Sequence, residues 1–211
     1  MADMRAIADA VKAGRAKIVK TMVNDAVAEN ISAETIMNEG LVTGMLELGE
    51  MFKNNEVYVP EVLIAARAMK AGMEIIKPLL LADNVEMLGT VAIGTVKGDL
   101  HDIGKNLVAM MLEGAGFNVI DLGVDVTPEQ YVECVKNNNV QVVGMSALLT
   151  TTMTSMKEII DALKDAGLRD QVKVIIGGAP ITQEYADEIG ADGFSVDAAS
   201  ATELAKKLLG K

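Results

Sequence analysis

The chain has 211 residues, with 19 Lys and Arg against 30 Asp and Glu, a net charge of −11 and a pI near 4.6. That acidity repels phosphate backbones, and aromatics at 3% leave few platforms for stacked bases, which argues against nucleic acid as a partner. MADMRAIADAVKAGRAKIV does not read as a signal peptide, no apolar run is long enough for a bilayer, and the lone Cys134 permits no intrachain disulfide. A soluble, cytoplasmic protein with no membrane partner is expected.

In chain order, the pattern is helical up to about Leu81. A short first helix is expected near residues 3–13. One apolar stripe is formed by Ile18, Met22, Val23 and Ala26, and another by Met37, Leu41, Met45, Leu48 and Phe52. Ser32 is placed to cap the second of these. Pro60 suits the first residue of the next helix, whose stripe includes Leu63, Ile64, Arg67 and Met69. These stretches predict a four-helix bundle over residues 1–86.

After a polar break at Asp83–Met87 the period changes. The apolar runs GTVAIGTV, FNVIDLG, VQVVGMSAL, VKVIIGG and DGFSV alternate with helical patterns near 103–114, 128–138, 151–166, 182–189 and 198–209. Alternation of this kind predicts an α/β domain over residues 87–211, a doubly wound parallel sheet with strands buried on both faces. Cys134 falls within a helical pattern and reads as a small buried residue.

Ligands of such sheets bind beyond the carboxyl ends of the strands, where strand order reverses. GDLHDIG follows the first strand, SALLTTT the third and GGAP the fourth. In the order 2-1-3-4-5 those three loops line one cleft; in the other common winding the third strand lies apart and they do not.

The first loop holds His101, the only histidine in the chain. Gly98 and Gly104-Lys105 resemble a P-loop, but the gap between the glycines is one residue too long. Asn106 stands where a magnesium-binding hydroxyl belongs, and Asp99 and Asp102 would repel a phosphate. No G-x-G-x-x-G follows the first strand. A phospho-acceptor module is disfavoured because the third strand ends in Met145-Ser146, without an acceptor aspartate. A metal suits the residue types better, since imidazole ligands usually donate their second N–H to a carboxylate, and Asp99 is two residues away. Ser146 or Thr152 could steady that carboxylate. One histidine cannot build a zinc cage, so a metal bound here must bring its other ligands.

Gly98-Asp99-Leu100-His101-Asp102-Ile103-Gly104 resembles the D-x-H-x-x-G signature of cobalamin-binding domains. Ser146-Ala147-Leu148 resembles their S-x-L element, and Gly177-Gly178 their G-G element, in the same order. The likeness spans nearly the whole chain and is closest to the small corrinoid proteins of methyl-transfer systems and the cobalamin module of methionine synthase. It implies a flavodoxin-like sheet that binds cobalamin or a related corrinoid, methylcobalamin among its forms. It further implies that His101 is the lower ligand of cobalt, replacing the cofactor's own dimethylbenzimidazole. Asp99 would bond the other ring nitrogen, with Thr152 the preferred hydroxyl relay. Ser146, Leu148 and Thr150 would contact the nucleotide tail, with room left by Gly177 and Gly178.

FKNNEVYVPEV, residues 52–62, resembles the cap segment that covers the upper corrin face in methyl carriers, which places Phe52 and Val59 over the bound methyl group. The additional modules of methionine synthase have no counterpart in this sequence. The implied function is therefore to carry a methyl group on cobalt between two other proteins. These are a substrate:corrinoid methyltransferase and a methyltransferase acting on tetrahydrofolate or a thiol coenzyme, with a reductive activator as a third partner. The alternatives are the carrier subunit of an adenosylcobalamin-dependent mutase, a cobalamin-binding sensor and a cofactor-free scaffold.

Overall fold

The computed structural model describes residues 2–83, 85 and 87–211, so the expected polar break at Asp83–Met87 lies partly outside the described residues. The chain divides into two compact units, Met1–Met87 with Glu113–Gly116, and Leu88–Leu112 with Phe117–Lys211.

The first unit is helical. Helix α1 (Met4–Lys12) begins at Asp3, whose carboxylate accepts from the N–H groups of Arg5 and Ala6. Helix α2 follows at Ala16–Ala28. Helix α3 runs over residues 33–53, α-helical at Ala33–Thr35 and Thr43–Lys53 but π-helical across Ile36–Val42. The Ser32 hydroxyl caps it, accepting from the Thr35 N–H at 3.1 Å. Helix α4 (Val59–Ala82) opens with Pro60 at its second position, not its first, and continues through Pro78. The Tyr58 N–H that precedes it is satisfied by Glu61 Oε2 at 3.0 Å.

Ile7, Val11, Val19, Val23, Ile36, Leu41, Met45, Leu48 and Ile76 are almost wholly removed from water in this unit. Each such aliphatic side chain contributes about 1.5–3 kcal/mol. Two expected stripes are rotated relative to this core. Val19, not Ile18, faces inward on α2, and Ile18 is exposed. On α4, Leu63 and Ile64 are exposed, while Val62, Ala65, Ala68, Met69, Ala71 and Gly72 are buried. The small residues lie inside because the neighbouring helices approach closely: a Cβ on Gly72 would stand 2.6 Å from Leu41.

The second unit is a five-stranded, all-parallel sheet of β1 (Thr90–Thr95), β2 (Asn118–Asp121), β3 (Val142–Ser146), β4 (Lys173–Gly177) and β5 (Gly193–Phe194). Its order is β2-β1-β3-β4-β5, the flavodoxin-like winding. Between and after the strands come α5 (Ile103–Gly114), α6 (Pro128–Asn137), α7 (Thr154–Asp165), α8 (Gln183–Ile189) and α9 (Ala198–Leu208). Thr127, Thr182 and Asp197 cap α6, α8 and α9 with side-chain oxygens. Ala92, Val143, Val174 and Ile176 of the strands share a core with Tyr131, Ile159, Ile160, Leu163 and Ala186 of α6 to α8. Cys134 is buried in α6, and burial pushes its thiol pKa upward, which suits a packing residue and not a nucleophile.

Register decides what the sheet can present. Thr95 pairs with Ser146, and Ser146 with Gly177, so β1, β3 and β4 finish side by side at the carboxyl edge. The loops that leave those three ends are therefore neighbours.

Candidate functional site

The first loop leaves β1 at Thr95 and enters α5 at Ile103. Gly98 turns it with φ of 82°. Asp99 is then fully buried although it carries a charge, a placement tolerated only when every oxygen finds a donor. Asp99 Oδ1 accepts from the His101 N–H at 3.0 Å and sits 2.7 Å from His101 Nδ1. Its Oδ2 accepts from the Leu148 N–H at 2.8 Å, the Leu149 N–H at 3.3 Å and the Thr152 hydroxyl at 2.8 Å. Burial alone would raise the Asp99 carboxyl pKa. The N–H groups of Leu148 and His101, the imidazole and the Thr152 hydroxyl outweigh it and hold the group well below the usual carboxylate range.

An ionised Asp99 assigns the proton on His101. A carboxylate can only accept, so Nδ1 carries the hydrogen, and in the neutral ring Nε2 keeps its lone pair. The imidazole is half exposed, at 52% of its side-chain area, which leaves that lone pair available to a ligand. The Thr152 hydroxyl also lies 3.0 Å from the Leu149 carbonyl. It has one hydrogen, and the charged acceptor is the stronger claimant.

Thr95 completes the hold on the loop and was not evident from the sequence. Its fully buried hydroxyl donates to the His101 carbonyl at 2.9 Å. The only sequence sign is a hydroxyl at the last position of an otherwise apolar strand. Thr152→Val keeps the shape while removing a donor to Asp99, and is expected to cost about 1.5 kcal/mol in urea unfolding, the scale of a hydrogen bond to a charged group. Thr95→Val, which loses a neutral bond, should cost about 1 kcal/mol in the same experiment.

Around His101 the edge is apolar. Leu100 is 71% exposed and Ile103 78% exposed, and Leu148 and Leu149 are also partly open. Asp102 and Gly104 are exposed beside them. Lys105, which gave the loop its likeness to a P-loop, is buried and bonded to both Asp121 oxygens at 2.6 Å. It is engaged within the fold, not offered to a phosphate.

Ser146 is half-buried at the end of β3, and Thr150 is exposed in the loop beyond. Of the two hydroxyls considered for Asp99, Thr152 is the one bonded to it. Gly177 and Gly178 need separate accounts. Gly178 has φ of 133°, and a Cβ there would lie 1.8 Å from the Ala147 carbonyl oxygen, so the backbone itself forbids a side chain. Gly177 would meet the Ser195 carbonyl at 3.3 Å. Close passage of the loop after β3 thus requires glycine at Gly178. Phe52 and Val59 belong to the helical unit, at the end of α3 and the start of α4, and both are partly exposed.

Among the described residues no group of three His, Cys, Asp or Glu could hold a metal ion by itself. One accessible imidazole nitrogen, fixed from behind and set in an apolar surface, fits a metal that arrives with its own planar ligand ring.

Comparison with known proteins points the same way. A B12 binding domain model matches residues 89–205, and a second B12 binding domain model matches residues 4–77. A trimethylamine corrinoid protein of Methanosarcina barkeri is 46% identical over 195 residues, covering 92% of this chain and 90% of that protein. A dimethylamine corrinoid protein of the same organism is 42% identical over 207 residues, covering 98% and 97%. Among solved structures, a cobalamin-binding protein from Desulfitobacterium hafniense DCB-2 has a TM-score of 0.80 at 35% identity, over 98% of both chains. The methanol:cobalamin methyltransferase complex MtaBC from Methanosarcina barkeri includes a chain with a TM-score of 0.86 at 28% identity, covering 97% of this chain and 78% of that one.

Proposed function

Because the chain belongs to the B12-binding corrinoid proteins of methyltransferase systems, we propose that it carries a methyl group on cobalt from a substrate-specific methyltransferase to a second methyltransferase. The second enzyme would act on tetrahydrofolate or a thiol coenzyme, with a reductive activator restoring cobalt that becomes oxidised and the cytoplasm as the setting. The observation that carries this reading is the fixed imidazole: His101 with Nδ1 on buried Asp99 and Nε2 free, at the carboxyl edge of the sheet. Relatives matched over more than 90% of the chain favour it over a mutase carrier or a sensor.

The corrinoid would supply the cobalt chemistry of methyl transfer. The protein's residues supply the rest. His101 would hold the cobalt through Nε2. Asp99 fixes the ring's tautomer and direction. Thr152 and the Leu148 and Leu149 amides keep Asp99 ionised and still. Leu100, Ile103, Leu148 and Leu149 present apolar surface to the ring, with Gly98, Asp102 and Gly104 along the loop. Ser146, Thr150, Gly177 and Gly178 are assigned to the nucleotide tail.

Relatives named for trimethylamine and dimethylamine make methylated amines the first donors to test. The cobalamin-loaded chain, reduced and incubated with a methylated amine and its donor methyltransferase, should yield methylated cofactor by mass spectrometry. A chain that remains colourless and cobalt-free, or loaded cofactor that no donor enzyme methylates, would overturn the proposal.

A further inference from the structure

Beyond β2 the chain does not leave the sheet at once. The Leu122 N–H donates to the Ile93 carbonyl at 2.8 Å, the Thr95 N–H to Gly123 at 3.0 Å and the Val126 N–H to Thr95 at 3.0 Å. A parallel bridge joins Val96 and Val126. This extended pairing delivers Asp125 to the start of the His101 turn. Asp125 Oδ1 accepts from the Gly98 N–H at 2.7 Å, and the Asp125 N–H donates to the Asp99 carbonyl at 3.0 Å. One residue therefore holds the backbone on both sides of the Gly98–Asp99 peptide.

Its own backbone is unusual. Asp125 has φ of 56°, the left-handed region where glycine is at ease and other residues are strained. Aspartate and asparagine are the side chains that best tolerate it. A glycine would satisfy this φ and keep the N–H, but could not accept from Gly98. The carboxylate is what aspartate adds.

We propose that Asp125 is the positioning residue of the His101 turn: its carboxylate and amide fix the Gly98–Asp99 backbone and so the direction from which Asp99 grips the imidazole. The consequence at cobalt rests on the function proposed above; the consequence at the imidazole does not.

His101 is the only histidine, so imidazole nitrogen NMR signals of the apo chain report on it alone. At mildly alkaline pH the wild-type ring should be the Nδ1–H tautomer. Asp125→Asn should keep that pattern, because an amide oxygen still accepts from Gly98. Asp125→Gly and Asp125→Ala should shift the ring toward the Nε2–H form. In the cobalamin-loaded chain the same two variants should lower the ratio of imidazole-bound to imidazole-free cofactor by about tenfold or more, as losing a supporting group behind a metal ligand does. Asp125→Gly relieves strain, so it keeps the test readable if Asp125→Ala folds poorly. Wild-type ring signals in Asp125→Gly, or an Asn variant shifted as far as Ala, would overturn the assignment. If the wild-type chain took up no cobalamin while the tautomer still followed Asp125, the function reading would fall and this assignment would stand.

Discussion

His101→Ala, loaded with cobalamin, is expected to lose the absorbance bands of an imidazole-ligated cobalt and to transfer methyl groups about 100-fold more slowly or worse. Removing a group behind a metal ligand commonly costs 10–100-fold, and here the ligand itself is removed. No other imidazole of the chain can substitute, because it has no second histidine. The fold should be little affected, since the ring is half exposed and its absence leaves Asp99 with the backbone N–H groups of Leu148, Leu149 and residue 101 and with the Thr152 hydroxyl. Near-normal unfolding together with altered spectrum and rate would separate ligation from stability. An unchanged spectrum would remove His101 from the cobalt.

Asp99→Ala is the largest expected loss of stability, about 4 kcal/mol in denaturant unfolding of the apo chain. The carboxylate is fully buried and satisfies the Leu148 N–H, the Leu149 N–H and the Thr152 hydroxyl. Without it the two amides are stranded, at about 1–3 kcal/mol each where water cannot replace it, while the Thr152 hydroxyl turns to the Leu149 carbonyl. Asp99→Asn keeps one oxygen for them but turns its amide hydrogens on His101, and should cost about 2 kcal/mol. The pH dependence has a definite sign. Because the folded-state pKa of Asp99 is lowered, its ionised form adds stability that is complete above about pH 4, the ordinary carboxyl range. That stability is lost as pH falls through the lowered folded value. The difference between wild type and Asp99→Asn should therefore be largest near neutrality and shrink on acidification below about pH 4. A difference that grew in acid would mean that Asp99 is protonated in the native protein.

Much of the second unit was legible in the sequence because buried parallel strands read as apolar runs and their loops carry the chemistry. The strand order and the register that sets Thr95, Ser146 and Gly177 in a row came only with the structure, because those runs fit either winding. Asp99 and His101 were legible as a pair because they are two residues apart. The donors on Oδ2 are harder to read, since the Leu148 and Leu149 amides come from another loop, and amides are the same in every residue. Asp125 looks like any loop acid until its backbone angle and its partner Gly98 are known. In the helical unit the failures share a cause. Where α2 and α4 have apolar residues on several faces, the larger ones stand out as core candidates. Close approach at Gly72 instead draws alanines inward and leaves Leu63 and Ile64 outside. The π-helical stretch at Ile36–Val42 shifts phase without any proline or glycine pair to announce it.

The central claim, that His101 Nε2 occupies the lower axial position, is tested most directly by electron paramagnetic resonance of the chain loaded with Co(II) cobalamin, grown with and without 15N-histidine. With a single histidine, the label marks one possible ligand. The account predicts that the threefold nitrogen splitting on the cobalt lines becomes twofold on labelling, as the coupled nucleus changes from 14N to 15N. A threefold splitting that persists would assign the axial nitrogen to the cofactor's own base and contradict the account, as would the absence of any axial nitrogen splitting.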